Sequence, residues 1–237
     1  MSLIVLGVTG GIGAYKSVEV VRGLQRAGHE VAVVMTESAT KFVGPLTFEA
    51  ITQRNVITDQ YAAGANADIK HIALASQADL LLVAPATANM VGKFAHGIAD
   101  DFLSALYLAT TAPVLMAPAM NTHMLSHPAV QKNLRVLSDR GVRWVEPGEG
   151  YLACGWIGKG RLAEPDTIVE AAEQGLRPRE AGVVVHLSNT FLHGAFHPLG
   201  HPRVRDLAPF RPDRLVLGER ACPVSASRQI LALVEQG

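Results

Sequence analysis

The 237-residue chain is 49% apolar and balances 21 basic against 21 acidic side chains, so it has material for a buried core and no basic stripe that would take nucleic acid as a partner. Its two cysteines, Cys154 and Cys222, make no disulfide framework, which fits a reducing cytoplasm. No apolar run approaches the ~18 residues of a membrane span, and the opening Met1-Ser2-Leu3-Ile4 lacks the basic leader of a signal peptide.

Residues 3–8 form a continuous apolar run that predicts a buried strand, followed by the turn Thr9-Gly10-Gly11-Ile12-Gly13. Residues 14–27 predict a helix closed by Gly28-His29, and residues 30–35 predict a second apolar strand. Strand, glycine turn, helix and strand of these lengths make a βαβ unit whose strands are covered on both faces. The pattern recurs with a strand at 78–84, the turn Pro85-Ala86-Thr87-Ala88-Asn89, and helical stretches through residue 94 and over 101–109. It recurs again with a strand at 113–117, the turn Pro118-Ala119-Met120-Asn121, and a helix over 127–140.

A strand over 141–145 leads into a glycine-rich loop that carries Cys154, and Glu164-Pro165-Asp166 opens a last helix. The expected fold is α/β: a doubly wound, mostly parallel, Rossmann-like sheet forming a single domain over residues 1–175. Such sheets take ligands beyond the carboxyl ends of their strands, where the quoted turns fall. Residues 176–237 hold four of the nine histidines among many prolines and arginines, and their periodicity fades. They predict an irregular tail with at most a strand near 183–187 and a helix near 227–235. His193, His197 and His201 stand four apart, but Pro198 and Pro202 break the helix that would align them, so no metal site is expected.

A glycine turn feeding a helix start points to a bound anion. The nicotinamide fingerprint G-x-G-x-x-G fails here, because Lys16 follows Gly11 and Gly13 where the third glycine belongs. The second strand ends in Met35-Thr36-Glu37-Ser38 rather than in a well-placed ribose-binding acid. Thr36 and Ser38 suit a phosphate or a ring carbonyl, and equally a helix N-cap. This spacing favours a mononucleotide such as FMN over NAD. The two Pro-Ala turns share small residues, which admit a planar ring, and an asparagine that both donates and accepts. Either asparagine also fits a helix cap. His71, before Ile72-Ala73-Leu74, is a cap, a core residue or a general base. Cys154 sits on a surface turn or on a segment free to close over a pocket.

With these segments in hand, the chain resembles the homo-oligomeric flavin-containing cysteine decarboxylases. The matching stretches are Gly10-Gly11-Ile12-Gly13-Ala14-Tyr15-Lys16, His71-Ile72, Pro85-Ala86-Thr87-Ala88-Asn89, Asp100-Asp101-Phe102-Leu103-Ser104, Pro118-Ala119-Met120-Asn121, and Ala153-Cys154-Gly155 with Gly158-x-Gly160-Arg161. They run in family order over about residues 3–174. The resemblance implies FMN held by Gly10, Gly11, Ile12, Thr36, Ser38, Thr87, Ala88, Asn89, Ser104 and Met120. It implies a homotrimer, or trimers assembled into a dodecamer, with each flavin near a subunit contact.

It further implies His71 as active-site base, Asn121 as the group orienting the substrate carboxylate, and Cys154 as proton donor on a closing lid. The implied activity is decarboxylation of a small-molecule N-acylcysteine, phosphopantothenoylcysteine in coenzyme A biosynthesis. In that reaction the thiol is oxidised, carbon dioxide leaves with its electrons drawn toward sulfur, and the enethiol is reduced. Rival readings are a decarboxylase of peptide C-terminal cysteine, a flavin prenyltransferase, a non-catalytic flavin-binding regulatory subunit and an NAD-dependent oxidoreductase. The joint presence of His71 and Cys154 favours catalysis. In fused members a synthetase follows the last helix; residues 176–237 show none of its glycine-rich signature and are expected to be a truncated or frame-shifted remnant. Lys159 is unusual beside the lid.

Overall fold

The computed structural model describes residues 1–59, 70–151 and 157–176. Leu3–Val8 (β1), Glu30–Met35 (β2), Leu80–Ala86 (β3), Val114–Pro118 (β4) and Arg143–Trp144 (β5) form one parallel sheet in the order β2-β1-β3-β4-β5. The helices are Ser17–Arg26 (α1), Glu37–Thr40 (α2), Pro45–Thr52 (α3), Lys70–Gln77 (α4), Ala88–His96 (α5), Phe102–Ala109 (α6), Thr122–Ser126 (α7), Pro128–Asp139 (α8) and Pro165–Gly175 (α9). β3 is buried along its whole length, because helices cover the sheet on both sides.

Side chains alternate between two cores. Ile4, Leu6, Leu80, Leu82 and Ala84 meet α1, α3 and α9 on one face. Val5, Leu81, Val83 and Met116 meet α4, α5, α6 and α8 on the other. From β1 the chain winds outward to β2, then back across β1 to β3 and on to β5. The order therefore reverses between β1 and β3, and a crevice opens there at the carboxyl ends of the strands.

Four boundaries depart from the sequence reading. The helix expected over 14–27 begins as a tight 3-10 turn, Ile12–Lys16, which turns Ala14 and Lys16 inward before α1 starts. The strand expected over 141–145 shortens to β5, a partly exposed edge. α3 had no counterpart in the sequence reading; Pro45 opens it and Phe48 alone is buried. The glycine-rich stretch is not loop throughout, since Gly148–Tyr151 (β6) pairs antiparallel with Ile157–Arg161 (β7). Cys154, Cys222, the tail histidines His193, His197 and His201, and the elements expected near 183–187 and 227–235 lie outside the described residues. Among the described residues, no helix is long and apolar enough to cross a membrane. None of their His, Cys, Asp and Glu side chains form a group that could hold a metal.

Candidate functional site

Two neighbouring strand ends set up the site. The ladder between β3 and β4 slips between Val83 and Ala86, where Pro85 has no N–H to give. Two buried hydroxyls take up the carbonyls there: Ser17 Oγ donates to Ala84 O at 2.7 Å, and Thr9 Oγ1 donates to Pro85 O at 2.6 Å. Thr9 Oγ1 also accepts the Thr87 N–H at 3.1 Å. A buried carbonyl left without its donor costs about 1–3 kcal/mol. Thr9 thus locks the turn after β1 to the turn after β3.

The first turn then touches the segment after β2. A Cβ on Gly10 would stand 2.3 Å from Ser38 Cβ, so glycine is what permits the approach. Thr36 caps α2 by accepting the Ala39 N–H at 3.3 Å, and Thr87 caps α5 by accepting the Met90 N–H at 3.4 Å. Asn121 caps α7, its Oδ1 accepting the His123 N–H at 2.8 Å. Asn89 instead lies inside the first turn of α5, behind its Thr87 cap. The two asparagines therefore do not hold equivalent positions, because the chain turns into its helix later at Asn121 than at Thr87.

These turns enclose a cavity of about 990 Å³. Gly10, Gly11 and Ile12 line it from the first turn, and Thr36 and Ser38 from beyond β2. Thr87, Ala88 and Asn89 line it from beyond β3, and Met120 and Asn121 from beyond β4. Ser104 is not among the lining residues. It is fully buried in the capping box of α6, where its Oγ accepts the Asp101 N–H at 3.1 Å and its N–H reaches Asp101 Oδ1 at 2.8 Å. His71 lies in the first turn of α4 with its ring edge-on to Phe102 at 6.1 Å, outside the lining of its own chain's cavity. Cys154 lies outside the described residues.

Charged walls, which no sequence pattern reveals, come from Lys16, Glu37, Lys93, Asp100, Asp101 and Arg161. Lys93 Nζ meets Asp100 Oδ1 at 2.6 Å and Asp101 Oδ2 at 2.7 Å. Burial pushes the Asp101 carboxyl up, but bonds from Lys93 and Ser104 outweigh it and hold the group below the ordinary 3.8. Burial likewise pulls the Lys93 ammonium down, and the two carboxylates more than offset it, leaving the group above 10.5.

Lys16 is nearly buried, with Nζ 2.9 Å from Glu164 Oε2, while Glu164 Oε1 lies 3.2 Å from Arg161 NH2. The Lys16 bond chiefly holds the Glu164 carboxyl below its usual 4.5. Lys16 and Glu164 are 148 positions apart, which no local pattern reveals. The Asp101-x-x-Ser104 spacing was the one local clue, as a capping box.

The far wall joins the hairpin to the turn after β4. The Met120 N–H donates to Gly160 O at 2.9 Å, and Thr122 Oγ1 donates to Lys159 O at 2.7 Å. Gly160 has φ +133°, and a Cβ there would fall 2.1 Å from Met120 O. Lys159 itself is exposed, 3.8 Å from Glu149, and is not among the lining residues.

This architecture has known counterparts. The sequence matches the Flavoprotein family over residues 2–177. It is 53% identical over 171 residues to the coenzyme A biosynthesis bifunctional protein CoaBC of Bacillus subtilis (strain 168), covering 72% of this chain and 42% of that relative. The chain thus spans less than half the length of that relative. Among solved structures, a PPC decarboxylase mutant complexed with pantothenoylaminoethenethiol superposes with a TM-score of 0.68 at 30% identity, covering 73% of this chain and 97% of that one. The FMN-dependent cysteine decarboxylase SpaF superposes with a TM-score of 0.63 at 36% identity, covering 73% of this chain and 98% of that one. The chain belongs to the Flavoprotein family.

Proposed function

We propose that this chain is an FMN-dependent decarboxylase that converts phosphopantothenoylcysteine to phosphopantetheine in coenzyme A biosynthesis. The observation that carries the reading is the cavity at the β1/β3 reversal. Its walls suit a flavin mononucleotide: a Cβ on Gly11 would meet nothing closer than Thr87 Cγ2 at 3.6 Å, which leaves backbone open to a phosphate or sugar. Ala88 and Ala119 offer a small-residue wall to a ring, and Thr36 and Ser38 bring hydroxyls. A volume of about 990 Å³ is in the range of cofactor and ligand sites. Gly10 to Ile12, Thr36, Ser38, Thr87 to Asn89 and Met120 would hold FMN, which would supply a reversible two-electron acceptor beside the substrate thiol.

The chain's own groups do the positioning and the proton work. Bonding to the His123 N–H fixes the Asn121 amide, whose nitrogen donates to the substrate carboxylate. His71 serves as base. Its place outside its own chain's cavity supports action across a subunit contact, in a trimer or an assembly of trimers. Cys154 supplies the proton that completes the product. The decarboxylase occupies residues 1–175 of a cytoplasmic protein.

A peptide ending in cysteine is the second substrate reading; SpaF, which this chain resembles, is an FMN-dependent cysteine decarboxylase. Purified chain is expected to be yellow and to release carbon dioxide from phosphopantothenoylcysteine in preference to a cysteine-ended peptide. Colourless protein that does not reconstitute with FMN refutes the reading, and the reverse substrate preference transfers it to the peptide.

A further inference from the structure

Arg161 stands where β7 meets the cavity, and its charge is not cancelled there. Among the described residues it bonds Glu164 alone, through NH2 to Oε1 at 3.2 Å, with 43% of its side chain exposed. The other Glu164 oxygen is held by Lys16 Nζ at 2.9 Å. Lys16 and Arg161 line the cavity, whereas Glu164 is not among its lining residues. One carboxylate behind the wall is therefore shared by two cations at the wall, which leaves this group of three with one positive charge; Glu37, also at the cavity, is answered by Lys41 at 3.3 Å.

The Lys93 corner has the opposite balance, since Asp100 and Asp101 both answer one ammonium. Lys16, with 8% of its side chain exposed, neutralises Glu164 from beneath. Glu164 in turn grips one edge of the Arg161 guanidinium. The remaining donors form a planar fork of the kind that matches a phosphate. Lys16 stands where the nicotinamide fingerprint has glycine, so this arrangement also gives that departure a purpose.

We propose that Arg161, oriented by Glu164, is a phosphate-monoester subsite of the cavity and acts as a specificity determinant. The proposal rests on the function above, which brings two phosphate monoesters to this cavity, that of the cofactor and that of the acylcysteine. Arg161 takes one of them.

The test uses the 237-residue chain and two ligand pairs. Flavin fluorescence compares FMN with riboflavin on flavin-free protein, and calorimetry compares phosphopantetheine with pantetheine on flavin-loaded protein. A hydrogen-bonded charge pair of this type is worth roughly 10- to 100-fold in affinity. In one pair the phosphorylated ligand is expected to bind tighter by about that factor. Arg161→Gln removes that preference while the unphosphorylated partner binds as before, which also reports an intact fold. Arg161→Lys restores part of it. A preference undiminished in both pairs, or equal losses for phosphorylated and unphosphorylated ligands, overturns the assignment. If neither pantetheine compound binds wild-type protein, the substrate reading fails, and the flavin pair alone decides the role of Arg161.

Discussion

Asn121 combines two roles that substitutions separate. Its Oδ1 caps α7, and the residue lines the cavity, where the proposed role has its amide meet a substrate carboxylate. Asn121→Asp keeps an acceptor for the His123 N–H and adds a negative charge beside that carboxylate. The expected outcome is a stable, flavin-loaded protein with decarboxylation reduced at least about 100-fold, the span usually lost with a key polar group. Asn121→Ala loses the cap as well and should cost a further ~1 kcal/mol of stability. Thermal melts with single-turnover carbon dioxide release separate the two variants, and wild-type turnover by Asn121→Asp would remove the amide from the chemistry. The same distinction explains what the sequence concealed at this scale. The turn residues were legible because each follows an apolar strand, but whether a hydroxyl or amide caps a helix, faces a ligand or does both depends on where the helix begins.

Among the elements, α6 depends on a charge at its start. Asp101 caps it, receives the Ser104 N–H at 2.8 Å and is held ionised by Lys93. Its carboxyl lies below the ordinary 3.8 in the folded chain, so its stabilisation is complete above that value and is lost as pH falls through 3.8 and below. Asp101→Ala should therefore cost about 0.5–2 kcal/mol at neutral pH. The deficit should shrink in acid, as read by urea midpoints across pH. A deficit independent of pH would show that the charge contributes nothing. β1 to β4 were legible because strands covered on both faces read as unbroken apolar runs. The β6/β7 hairpin was not: Gly148, Gly150, Gly158 and Gly160 carry no side chains to alternate, and its pairing resides in peptide groups. Nor was the link from Lys16 through Glu164 to Arg161, which exists only once α9 has packed against α1.

For the whole molecule, Ile168 and Ala172 of α9 complete the core shared with α1, so the sheet is covered on both faces by residue 176. A chain ending there is expected to fold, bind flavin and decarboxylate at the rate of the 237-residue chain. Loss of flavin from it would give residues 177–237 a part in the fold. His71 lies outside its own cavity, which gives a second expectation at this scale. His71→Asn and Asn121→Asp copies, each inactive alone, should regain activity when refolded together, because a mixed contact pairs one intact histidine with one intact asparagine. No recovery would return His71 to its own chain.

The crossing of β7 over the Met120 turn bears on this as well. There the two main chains lie too close for any Cβ at residue 160, and the Met120 amide is given to the Gly160 carbonyl. This is a clasp of backbone on backbone, with one side chain beside it, the Thr122 hydroxyl on the Lys159 carbonyl. Heat or denaturant that opens the hairpin also removes the perch of Asn121, so the amide proposed to orient the substrate and the outer wall are lost in a single event.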